Sequence, residues 1–221
     1  MPIDTVQFAR IDATWGAMGA LHASDGCADH RHLRALSHGV VQMRDLSDAV
    51  HHLCMLHGRH PGVIDHAFEH ATLDAERGWL ESAAEGFATE RAFLVRLAAA
   101  AGPLPSTPGQ AEAEATCVAQ RHAIDMLSQS DRIGCATGAA VALVLDWTGM
   151  RRVLDIAADR LGMTPPEWAL PPIAETVTIV TELANVPSRE RAMLFGAQQL
   201  YAQHRGLWDL LEARAGARQH D

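Results

Sequence analysis

The sequence predicts an all-α protein, a single multi-helix bundle of about seven helices spanning residues 1–221. Three observations carry this reading. Ala, Leu, Arg, Glu and Gln dominate, β-branched residues are few, and no segment sustains period-two alternation. Pro and Gly gather at a few points and divide the chain into helix-length pieces.

The first helix is expected over 4–22, closed by Ser24-Asp25-Gly26. Asp29 is placed to cap a second helix over 30–58, whose apolar line is Leu33, Leu36, Val40, Met43, Leu46, Val50, Leu53 and Cys54. The turn Arg59-His60-Pro61-Gly62 breaks it, with Pro61 suited to the first turn of the next helix. That third segment reaches 101. Its apolar stripe shifts from Ile64, Phe68 and Ala71 to Leu80, Ala83, Phe87 and Leu94, which predicts a bend or break near 74–78. Gly102-Pro103-Leu104-Pro105-Ser106-Thr107-Pro108-Gly109 is a loop, and a fourth helix follows it to about 130. Asp131 is expected to cap a fifth helix over 132–161. Its first half is apolar all round, so it belongs at the centre of the bundle, with Gly and Ala positions that let neighbours approach closely. Beyond the loop Thr164-Pro165-Pro166-Glu167-Trp168 come a short helix over 171–184 and a last long one, capped by Ser188, through Arg214.

Composition narrows the chemistry. Apolar residues are 48% and charged residues 20%, enough for one sizeable core. All 18 basic residues are Arg. Without Lys there is no Schiff-base or pyridoxal-phosphate nucleophile, no P-loop and no kinase strand lysine. The net charge of −9, with no basic run longer than Arg151-Arg152, argues against nucleic acid as a partner. Cys27, Cys54, Cys117 and Cys135 form no C-x-x-C pair. Met1-Pro2-Ile3-Asp4 lacks the basic and apolar regions of a signal peptide, and the longest apolar stretch, 133–145, is too short for a membrane span. The expectation is a cytoplasmic protein of bacterial type, with no membrane partner.

Ten of the 13 His lie between His22 and His70. If the second and third helices form an antiparallel hairpin through 59–62, Asp48, His51 and His52 come near His66, Glu69 and His70. Asp48, His51, His66, Glu69 and His70 are ligand types for iron, manganese or zinc. Helical phase opposes the idea. With Val50 as the core direction, Asp48 and His52 fall roughly 160° away at about 100° per residue, on what reads as a polar outer face. Two other His face inward: His57 on the apolar line, and His204 on the seam Ala197, Tyr201, His204, Trp208, Leu211. Tyr201, His204, Trp208 and His57 are therefore the candidate lining of a small-molecule pocket. Asp146, beside Trp147, is either a partner of Arg151 or Arg152 or a buried functional acid. No G-x-G-x-x-G, G-x-S-x-G or H-E-x-x-H is present.

The stretch from Asp45 to Gly62 and the run from Gly102 to Gln110 resemble an uncharacterised family of bacterial all-helical proteins. That resemblance covers most of the chain and implies no activity. In length and helix content the outline also resembles ferritin-like and haem-oxygenase-like bundles, although the Glu-x-x-His pairs of di-iron bundles are missing from the candidate helices. The combined expectation is a helical protein with a binding or structural role, self-associating, with no cofactor and an unknown small-molecule ligand. The alternative is a metal-dependent enzyme or sensor built on the His-rich hairpin.

Overall fold

A computed structural model describes residues 5–38 and 41–219, with side chains from Trp15 onward. The described residues form nine α-helices and no strand. They are α1 (Thr5–Asp25), α2 (Arg31–His38), α3 (Met43–His57), α4 (Val63–His70), α5 (Asp74–Ala100), α6 (Gln110–Ser128), α7 (Cys135–Arg160), α8 (Ile173–Leu183) and α9 (Pro187–Ala217).

Two of the seven expected segments are split. The third breaks into α4 and α5 at 71–73, close to where its stripe shifts. The second breaks into α2 and α3, which the sequence reading did not expect. Gly39 and Val40, the latter on the expected apolar line, lie outside the described residues; Val41 and Gln42, which precede α3, are not helical. Two caps also move. Left-handed Gly134, rather than Asp131, precedes α7, and Val186 precedes α9, with Pro187 in its first turn instead of Ser188 at its cap.

The central placement of the fifth predicted segment holds. In α7 every residue from Cys135 to Val144 is buried. Its closest neighbour is α9. A Cβ on Gly138 would collide with the Met193 carbonyl oxygen, and one on Gly196 with the carbonyl oxygen of Cys135. The two backbones meet because neither glycine has a side chain to hold them apart. Around this pair, α3 packs on α5, α6, α7 and α9, and α4 packs on α5, α6 and α7. The expected α3/α4 hairpin does not form: the turn at 59–62 carries α4 away from α3. The eight residues of α4 bury Val63, Ile64 and Ala67 against the other three helices.

Candidate functional site

Every member of the core seam of α9 is buried, and His204 is the one whose polar atoms meet hydrogen-bond partners. His204 Nδ1–H donates to Asp146 Oδ2 at 2.7 Å, and the Cys27 amide donates to Asp146 Oδ1 at 2.8 Å. His204 Nε2 lies 3.0 Å from His57 Nε2. Asp146 and His204 are inaccessible, at 1% and 0% exposure, while His57 at 6% reaches a cleft of about 260 Å³. The three side chains come from α7, α9 and the last turn of α3, helices whose packing is fixed by the glycine contact and the seam.

Asp146, held ionised, accepts the Nδ1–H of His204. If His204 is neutral, its Nε2 is an acceptor, His57 donates to it from Nε2, and His57 Nδ1 carries a lone pair. Burial chiefly, with the Arg91 guanidinium adding to it, pushes the His57 imidazole well below its ordinary range, so it is neutral at pH 7. Burial pushes the Asp146 carboxyl up, but the hydrogen bonds from His204 and Cys27 outweigh it and hold the group below the usual range. His57 stands edge-on to Trp147 and Phe87, with ring centroids 5.7 and 6.2 Å away. Those contacts lock its ring plane.

The cleft is bounded by α3, α4, α5, α6, α7 and the 59–62 turn. Beside His57 its polar lining includes Arg59, His60, His66, Arg121 and Asp125. The turn is pinned by Asp65, which accepts from the Gly62 amide and from Arg91 Nη2, both at 2.7 Å. No Ser, Thr or Cys lines the cleft. Burial pushes the thiols of Cys27, Cys54 and Cys117 up, Cys117 to about 11, so none of these three is a thiolate nucleophile at neutral pH.

The pocket expected from Tyr201, His204, Trp208 and His57 is thus displaced. Tyr201, His204 and Trp208 are all fully buried, and the open space lies on the far side of His57. Tyr201 Oη, buried without a hydrogen-bond partner, belongs to the packed side.

The metal set is not assembled. Among the described residues no group of three or more His, Cys, Asp or Glu stands close enough to hold an ion. His51 Nε2–H donates to the Gly102 carbonyl at 2.8 Å, His70 Nδ1–H donates to the His66 carbonyl at 2.7 Å, and His66 lies 3.4 Å from Glu69. Asp48 is committed elsewhere. Contrary to the helical-phase reading, Asp48 and His52 are fully buried. A single core direction misplaces them because four helices surround α3. Asp48 accepts from Arg214 Nε and Nη2, both at 2.9 Å to their nearer oxygen, and from Arg218 Nη1 at 2.6 Å. Arg218 also meets Asp45 at 2.8 Å, and both arginines donate to Thr107 Oγ1. Burial pushes the Asp48 carboxyl up, but His52 and the two guanidinium groups hold it far below its usual range. With two guanidinium groups already on it, this carboxylate has no lone pairs to spare for a cation.

The sequence reading missed these arginines. Their signal was present: Arg214 and Arg218 continue the three- and four-residue spacing of the Tyr201, His204, Trp208, Leu211 seam. It also left Asp146 open. Arg151 instead reaches Glu90, which accepts from Trp147 Nε1 at 3.0 Å, and its Nη2 donates to the Pro166 carbonyl at 2.6 Å.

A family model described as a family of unknown function (DUF6975) matches residues 22–219. No curated protein and no solved structure matches the chain.

Proposed function

For a chain that belongs to this family of unknown function, we propose a small-molecule site in which His57 acts as a general base. The observation that carries it is the hydrogen-bonded series Asp146, His204, His57, buried at one end and open to a cleft at the other. A proton from a bound molecule, or from water beside it, passes to His57 Nδ1. His57 Nε2–H then passes its proton to His204 Nε2, and the positive charge comes to rest on the imidazolium beside Asp146. The pathway matters because a charged His57 is opposed by burial, whereas a charged His204 lies 2.7 Å from a carboxylate. With no Ser, Thr or Cys in the lining, His57 has no hydroxyl or thiol beside it to activate, and the proton comes from the bound molecule or water.

Long-range nitrogen–proton spectra of histidine-labelled protein test the reading. His57 should carry its proton on Nε2 at pH 7.5, and Asp146→Asn should disturb that tautomer through His204. A His57 found protonated on Nδ1 in the native protein removes the base.

A second reading, self-association, is favoured by exposed Ile133, Val186 and Phe195 around one groove of about 650 Å³. Phe195→Glu should then lower the mass seen by light scattering at micromolar concentration; a native protein that is monomeric there ends this reading.

A further inference from the structure

The chain carries a net charge of −9, yet the cleft beside His57 is locally basic. The residues of fixed charge that line it are Arg59, Arg121 and, as its single acid, Asp125. Other arginines of the interior are consumed: Arg91 by Asp65, Arg151 by Glu90, Arg214 and Arg218 by Asp48. Neither Arg59 nor half-buried Arg121 has such a carboxylate among the described residues. Asp65, the nearest acid of the 59–62 turn, is held by Arg91 and the Gly62 amide, so it does not neutralise Arg59. Two unengaged guanidinium groups beside a neutral imidazole form a receptor for one anionic group.

We infer that the cleft takes a small organic monocarboxylate, held by Arg59 and Arg121 with its reacting proton toward His57. The charges of Arg59, Arg121 and Asp125 sum to +1, so one negative charge balances the cleft, whereas a dianion leaves it with an excess negative charge. The volume of about 260 Å³ lies below the range of roughly 300–1,000 Å³ usual for drug-sized ligands, so the molecule is small. This inference rests on the general-base reading, since it uses the same cleft.

The test titrates the full chain with propionate, propionamide and inorganic phosphate, following the His57 ring signals. Propionate should move them and saturate, and propionamide should not. Arg59→Gln and Arg121→Gln should each weaken propionate by at least about tenfold, the usual scale of one lost hydrogen bond to a charged group. Arg59 is exposed, so Arg59→Gln keeps the test decisive if Arg121→Gln folds poorly. Equal binding of propionamide, phosphate tighter than propionate, unchanged affinity in Arg59→Gln, or no binding of any probe overturns the ligand class. The His57 tautomer separates the two ideas. Nε2–H with no carboxylate binding leaves the base standing and removes the ligand. Nδ1–H with arginine-dependent propionate binding leaves an anion site without its base.

Discussion

Asp48 shows what a single side chain decides here. Its carboxylate neutralises two guanidinium groups that are themselves only 3% and 7% exposed. Removing it strands the Arg214 charge in the interior and leaves Arg218 with Asp45 alone, which costs far more than the pair contributes when intact. Asp48→Ala should therefore lower unfolding free energy by about 3–5 kcal/mol, the range for breaking a buried ion pair; urea denaturation measures it, and a loss under about 1 kcal/mol, the ceiling for exposed pairs, would mean that water reaches the arginines. At this scale the sequence was legible for His57 and His204, whose spacing puts them on apolar stripes. It was illegible for Asp48 and His52, because helical phase assumes one buried face and α3 is enclosed by four helices. That Arg59 and Arg121 line one cleft was beyond reach as well, since tertiary packing alone brings the 59–62 turn and α6 to it.

Between elements, the α7/α9 contact is the tightest constraint. Gly138→Ala or Gly196→Ala must push two helix backbones apart, because the colliding atoms are main-chain carbonyl oxygens and not flexible side-chain ends. Each should destabilise by about 1–3 kcal/mol or more, the usual cost of overpacking. Gly78 lies exposed within α5 with nothing near its missing Cβ. Gly78→Ala should therefore stabilise by up to about 1 kcal/mol, from helix propensity alone. Thermal melts of the three variants check the contrast, and equal losses in all three would contradict the close approach. The helices themselves were readable from Gly and Pro punctuation. The α2/α3 break lacked a proline or turn pair, and the hairpin failed because a four-residue turn does not dictate which neighbour a short helix seeks.

For the molecule as a whole, the buried ionisable groups set a pH dependence. Burial lowers His57 and His32 from an ordinary 6.5, at His32 against the opposing pull of Asp45 and Glu212. In that window the unfolded chain binds more protons than the folded one, so stability falls as pH drops below about 6.5. Asp48 and Asp146, both held low, extend the loss below about pH 4. Glu90, raised chiefly by burial, works in the opposite sense and offsets part of it. Urea midpoints should therefore decline from pH 7 to pH 5, and less steeply in His57→Gln; a flat native profile would show that these imidazoles bind protons alike in the folded and unfolded chain. The ion pair of α3 has one more consequence, which concerns time. Asp48 is separated from Arg214 by 166 residues and from Arg218 by 170. During synthesis, α3 leaves the ribosome long before its counter-charges exist. A nascent chain that closed around α3 at that stage would bury this carboxylate with His52 but without either guanidinium group, so full neutralisation of that helix waits on the last turns of α9.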